Sequence, residues 1–515
     1  MKEISIFNDV LGPIMRGPSS SHTAAPYHIG RLARSLLGDE PLSATFTFDP
    51  GGSFAEVYRQ QGSDLGFATG LMGWPLTGAQ FAAALERAAA AGVEIAFDVR
   101  PLPEADHPNT VDIQMLSRQG RRLRLVANSI GGGAIVCTRL EGWPVDLRGD
   151  AHEVLVVAEA SAEEAVRTLL AQGQGPTIAA QRQAQGRQVL LHARRPSALD
   201  AGTLAQIEAL PGVRHVWTAA PVFFVQRGEP LFASAAEMVA LAEERNCSLG
   251  QIALAYESAL LGRPQEEILD ETLRRFEIMQ AAVHRGIENP PPMQLLSPSA
   301  PQIYRAEAAG KLAIGGLHTR AAARAMAVMH VNGGMGVVCA APTAGSAGTI
   351  PGVVVTLAEE RNLSGEKLAL ALLAASGVGL IVAQRATFVA EVAGCQVEIG
   401  ASGAMAAAAV VEAAGGQARQ AADAAAIAFQ NTMGLVCDLV QGIVEIPCHT
   451  RNAVAAASAF VCADLILGGY ANPIPLDETI DAVYAVGKML PRELKVTALG
   501  GLAVTPSALA MEHSR

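Results

Sequence analysis

The chain has 515 residues, room for roughly three or four domains. Half of its residues are hydrophobic and 17% are charged, which excludes a largely disordered chain. Its formal charge is −11 and it holds no basic stripe, so nucleic acid is not an expected partner.

Met1-Lys2-Glu3-Ile4 begins no long apolar run, so no signal peptide is expected. Gly17-Pro18-Ser19-Ser20-Ser21-His22-Thr23 is a dense polar loop. Its hydroxyls and imidazole can cradle a carboxylate, or Ser21 or Thr23 can simply cap a helix starting near Ala24. The alternation over 42–48 predicts a half-buried strand, 81–91 an Ala-rich helix, and 111–115 and 123–126 two further strands. His107-Pro108-Asn109-Thr110 and Ser129-Ile130-Gly131-Gly132-Gly133 are loops that suit either tight turns or close approach to a ligand. No GxGxxG or Walker pattern accompanies them.

Residues 151–228 read as strand (154–157), helix (162–171), strand (189–191), helix (204–210) and strand (213–217). That order approaches a ferredoxin-like unit, one strand short, and shows no Gly-rich effector loop. From 229 onward, alternation gives way to helical patterns over 235–244, 249–261, 266–286, 319–331, 367–375, 404–414, 418–433, 453–467 and 476–489. A Pro-rich break lies at Asn289-Pro290-Pro291-Pro292, followed by a loop past Pro298 and Pro301. The longest uncharged stretch, Leu368 to Ala383, is short for a membrane span and reads as a helix buried in a water-soluble core. Cys339 to Thr349 is a small-residue loop that can present backbone N–H groups to an anion or permit close helix packing. The expected class is α+β: a mixed α/β domain over 1–150, a second unit over 151–228 and a large all-α domain over 229–515.

Seven cysteines in a chain of this length point to free thiols or metal ligands in a reducing compartment, here taken as the cytoplasm. Cys395, Cys437 and Cys448 fall within the apolar C-terminal third. They can be buried small hydrophobes, or three thiolates that hold an iron–sulfur cluster and leave one iron open. Neither CxxC nor HExxH is present, so spacing alone does not decide between these readings.

Taken together, these segments resemble the iron–sulfur-dependent L-serine dehydratases, with the β-type and α-type parts fused in one chain. The β-type motifs are Gly17 to Thr23, Gly52-Ser53-Phe54-Ala55, Gly62-Ser63-Asp64, His107 to Thr110 and Ser129 to Gly133. The α-type motifs are Cys339 to Gly348, Gly394-Cys395-Gln396-Val397-Glu398-Ile399-Gly400, Met433 to Asp438, Pro447-Cys448 with Arg451-Asn452, and Gly500-Gly501-Leu502-Ala503. The resemblance implies an ACT-like fold for 151–228 and a [4Fe–4S] cluster on Cys395, Cys437 and Cys448. Its open iron would act as a Lewis acid on the hydroxyl of a small amino-acid substrate, giving pyruvate and ammonia from L-serine.

The resemblance also puts Ser19, Ser21, His22, Thr23, Ser53, Asn109, Thr343, Gly345 and Ser346 in the substrate-binding set. His22 and His107 are the candidates for acid–base work. A homodimer is expected, with no membrane partner. Two departures stand out: Leu439 where the family has Pro after Cys-Asp, and Gln294 to Pro301 where it has a Gly-Gly loop. The second suggests a different β-hydroxy or β-substituted amino acid, or a hydroxy acid, as the alternative substrate. An alternative of another class is a non-catalytic iron–sulfur redox sensor. Met511-Glu512-His513-Ser514-Arg515 holds no thiol that could reach the open iron.

Overall fold

A computed structural model describes residues 3–172 and 179–512. Of the C-terminal tail, 513–515 lie outside the described residues. Residues 4–11 run into the helical C-terminal part. Ile4, Ile6, Phe7, Val10 and Leu11 are buried in the helical core. Glu257 holds this strap by accepting from Ser5 Oγ at 2.6 Å and from the Ile6 and Phe7 amides at 2.8 and 3.1 Å. Strand β1 (Ile14–Arg16) then pairs antiparallel with Val337–Cys339. The region read as all-α therefore contains a strand, too short and too close to Gly336 for alternation to reveal it.

The main sheet comprises β2 (Pro41–Phe48), β3 (Glu94–Val99), β4 (Thr110–Ser117), β5 (Arg122–Ser129), β6 (Ile135–Leu140) and β7 (Trp143–Leu147). Its order is β3-β2-β4-β5-β6-β7, with β2 and β3 parallel and the other neighbours antiparallel. The three strands expected from alternation fall in β2, β4 and β5. The region expected to be one helix over 81–91 splits into a tight turn, Phe81–Ala83, and a helix, Ala84–Ala90. Phe46 and Phe48 are buried with Phe54 and Phe67 under the helices. Helices Ala25–Leu37 and Ser63–Leu71 cross closely there: a Cβ on Gly70 would sit 2.1 Å from the Tyr27 carbonyl oxygen. Only glycine fits at that position.

Strands β8 (His152–Glu159), β9 (Ala179–Gln185), β10 (Gln188–Arg195) and β11 (Val213–Ala219) form an antiparallel sheet of order β11-β8-β10-β9. With helices Glu163–Leu170 and Ala201–Ala209 the order is strand-helix-strand-strand-helix-strand. The strand absent from the sequence reading is β9, Ala-Ala-Gln-Arg-Gln-Ala-Gln, an edge strand with no β-branched residue. One face of this sheet, with Val154, Val156 and Leu191, packs with Val166 and Ile207 of its own helices. Leu155, Val157, Leu190 and Trp217 of the other face join the core of the main sheet.

Beyond 229, helix Gly365–Arg385 is buried among Leu249–Leu261, Gln265–Glu288 and Ile399–Ala413. It and Cys448–Leu467 are long and apolar enough to cross a membrane by length and composition. The predicted helices over 235–244, 249–261 and 476–489 coincide with Ala235–Glu244, Leu249–Leu261 and Leu476–Met489, the others are present with shifted ends, and Ala300–Ala308 and Thr349–Arg361 are additional. Pro301 does not stop Ala300–Ala308, because it lies in the first turn, where its missing N–H has no intrahelical partner.

Candidate active site

Three turns bring the thiols together. Cys395 opens a tight turn after Gly394, whose φ of 76° favours glycine, and just precedes helix Ile399–Ala413. Cys437 is held as if in a sheet: its amide donates to Leu494 O at 2.9 Å, and Val496 N donates to Cys437 O at 3.0 Å. Cys448 is the first residue of helix Cys448–Leu467. All three are buried, at 2%, 2% and 3% exposure. The sulfurs of Cys395 and Cys437 and a Glu398 carboxylate oxygen lie within 4.8 Å of one another. Cys448 lines the same cavity of about 30 Å³.

The surroundings act on the groups of this wall in opposite senses. The positive ends of helices Ile399–Ala413 and Cys448–Leu467 begin at or beside two of the thiols. Arg451, one turn after Cys448, donates to Val436 O at 2.8 Å and pairs with Asp438 Oδ1 at 3.0 Å. A hydrogen bond with Cys437, assisted by Arg451, draws the Cys395 thiol below its usual pKa. The hydrogen bond with Cys395 raises Cys437, and burial raises Cys448. Burial and the neighbouring Cys395 hold the Glu398 carboxyl well above the carboxylate range. Three clustered, buried thiols fit a multivalent cation or cluster that would replace their protons.

The opposite wall is polar. Gly17 packs directly on the end of helix Leu317–Gly333, where a Cβ would meet Asn332 O at 2.1 Å, and Asn332 Nδ2 donates to Pro18 O at 2.9 Å. Ser19, rather than Ser21 or Thr23, caps the turn that follows, accepting from His22 N at 3.2 Å. Ser19, Ser20, Ser21 and His22 line the cavity with Gln61 and Gly345. His22 Nδ1 lies 2.9 Å from Ser21 Oγ, and Nε2 lies 2.8 Å from Ser53 Oγ. Burial holds the His22 ring below its usual pKa.

Several predicted site residues stand behind this wall. Thr23 is fully buried and donates to Gln61 O at 2.6 Å. Thr343 and Ser346 hydrogen-bond each other at 3.1 Å and shape the loop that presents Gly345. His107 lines neither cavity described here; its Nδ1 accepts from Asn109 N at 3.1 Å, and burial lowers its pKa. Asn109 is buried, with Nδ2 3.5 Å from Glu391 Oε1. Asn452 ties the small-residue loop to the Cys448 helix. Its Oδ1 accepts from Gly348 N at 3.1 Å and Thr349 N at 3.0 Å, and its Nδ2 donates to Gly345 O at 2.9 Å.

An outer cavity of about 490 Å³ shares Glu391 and Val496 with the inner one and is lined by Ser53, Gln441, Arg492 and Lys495. No residue of 294–301 lines either cavity. That segment is anchored elsewhere: the Gln294, Leu295 and Leu296 amides donate to Glu445, and the Ser299 and Ala300 amides to His330 Nε2. Sequence reasoning missed Glu391, Gln61 and the electrostatic role of Arg451. Glu398, three residues after Cys395, carried a positional signal; Glu391, in Val-Ala-Glu-Val-Ala, carried none.

The profile of the serine dehydratase alpha chain family matches residues 244–503, half of the chain, and this protein belongs to that family. It is 38% identical over 283 residues to the probable L-serine dehydratase alpha chain of Bacillus subtilis, covering 55% of this chain and 94% of that one. It is 35% identical over 272 residues to the L-serine dehydratase alpha chain of Peptoniphilus asaccharolyticus, covering 52% and 93% respectively. The probable L-serine dehydratase beta chain of Bacillus subtilis matches at 42% over 157 residues, 30% of this chain and 69% of that one. One polypeptide thus resembles both parts of a two-chain relative.

Proposed function

We propose that this protein is a lyase that dehydrates and deaminates L-serine to pyruvate and ammonia, using a [4Fe–4S] cluster held by Cys395, Cys437 and Cys448. The observation that carries this reading is the meeting of three buried thiols and a hydroxyl-and-imidazole wall across one small cavity. When bound, the cluster supplies a Lewis acid that weakens the carbon–oxygen bond of the substrate. The rest of the chemistry belongs to the chain. Ser19, Ser20, Ser21 and Gln61 offer donors to the substrate carboxylate, and Gly345 leaves room for it. His22, neutral because it is buried, can accept a proton at Nδ1, directly or through Ser21. Ser53 holds the other ring nitrogen and so orients the imidazole. His107 acts by placing Asn109. Serine is favoured over a larger substrate because the inner cavity is small and the altered 294–301 segment stands outside it.

We further read 1–150 as the β-type substrate-binding domain, 151–228 as an ACT-like domain and 229–515 as the cluster-holding domain. The strand-helix-strand-strand-helix-strand order over 152–219 supports the ACT-like reading. Val454, Val461 and Leu465, exposed along one helix, support a homodimer. The deciding experiment is anaerobic purification followed by a pyruvate assay with L-serine. Cys437→Ala should abolish iron content, visible colour and turnover together. Full turnover by an iron-free protein would refute the mechanism.

A further inference from the structure

Glu391 is a nearly buried carboxyl group with no lysine or arginine partner among the described residues. Its side chain is 8% exposed and faces both cavities. Ser21 Oγ and Asn109 Nδ2 reach Oε1 only at 3.4 and 3.5 Å, and Oε2 accepts no hydrogen bond from the described residues. The nearest basic group, His22 Nδ1, is 3.9 Å away on a ring that burial holds toward neutrality. Among the described residues no lysine or arginine forms an ion pair with it. Asp438, by contrast, is matched by Arg451. Taking a carboxylate out of water without a counter-charge is costly, and such groups in folded proteins are paired or neutralised. Glu398, the other carboxylate of the inner cavity, stands among the thiols, with Cys395 Sγ 4.0 Å away. Glu391 stands beside the hydroxyl loop, where the inner and outer cavities meet.

We propose that Glu391 binds the ammonium group of the substrate and so makes the site select amino acids over hydroxy acids. This deepens the serine-lyase reading and rests on it. An ammonium at Glu391 would place the neighbouring α-carbon beside Ser21 and His22, where its proton has an acceptor. The carboxylate would then face Ser19 and Ser20, and the β-hydroxyl the thiol wall. A hydroxy acid would leave Glu391 unpaired, and a site built around a charged partner rejects an analogue that lacks it.

The test uses anaerobically prepared, cluster-loaded protein in three forms: wild type, Glu391→Gln and Glu391→Asp. Turnover gives KM and kcat for L-serine, inhibition by L-glycerate gives its Ki, and calorimetry gives the affinity of both ligands. Glu391→Gln should raise the KM for L-serine at least about tenfold while glycerate binds unchanged or tighter. Glu391→Asp, which keeps the charge on a shorter arm, should fall between the two and reports even if Glu391→Gln folds poorly. An unchanged KM in Glu391→Gln, or an equal loss of serine and glycerate binding, overturns the proposal. If wild type prefers L-serine by calorimetry, loses that preference in Glu391→Gln and forms no pyruvate, the role of Glu391 stands and only the serine-lyase reading falls.

Discussion

Arg451 follows Cys448 by three residues, so the helix itself places a guanidinium beside the thiols. It ties the segment of Cys437 to the Cys448 helix by donating to Val436 O and pairing with Asp438, whose other oxygen accepts from Leu502 N at 2.9 Å. A lysine keeps the charge but cannot make this fork. Arg451→Lys should fold and still bind iron, but the loss of one such hydrogen bond, about 1.5 kcal/mol, corresponds to roughly tenfold weaker retention. Iron release to a chelator in anaerobic buffer checks this; release at the wild-type rate would show that charge alone suffices. At this scale the cysteines and the Ser-Ser-Ser-His-Thr loop were visible in the sequence because thiols and clustered hydroxyls are chemically conspicuous. Glu391 was not, since its role comes from what it lacks around it in three dimensions.

The small-residue loop after Val337–Cys339 depends on another element for its shape. Asn452 closes it by accepting from two amides and one hydroxyl and by donating to two carbonyls. Asn452→Ala should leave buried donors unpaired and lower the unfolding free energy by about 2–4 kcal/mol. Thermal unfolding of the loaded protein measures the loss, and L-serine turnover should fall with it as Gly345 shifts. A stability within error of wild type would mean that water replaces Asn452. Helices with strong periodicity were legible here, and so were β2, β4 and β5. Strand β9 and the Val337–Cys339 strand were not, because pairing partners rather than side-chain pattern make them strands.

The whole molecule is fastened at its beginning. The strap over residues 4–11 crosses into the helical core and is held by Glu257, 250 residues away along the chain. Burial outweighs the three donors and pushes the Glu257 pKa up to about 7 from 4.5. The folded state therefore keeps this proton at pH values where the unfolded chain has released it. Stability from this group is full below about pH 4.5 and declines as pH rises toward 7, by on the order of 3 kcal/mol. Glu257→Gln should remove that slope, measurable by denaturant unfolding at pH 5 and pH 7.5. An equal slope in wild type and variant would place the titration elsewhere.

Sequence alone determined the chemistry available: the thiols, the hydroxyl loop, an aliphatic Ala-rich helical part and a strand-rich N-terminal part, all properties of residue type and local period. Tertiary structure decided which of these meet. It turned Thr23, Thr343 and Ser346 into supports, kept 294–301 away from the cavity, and set Glu391, without a lysine or arginine partner, beside the hydroxyl loop. The physical reason is that burial and counter-charge are relations between distant segments, and no window of sequence contains them.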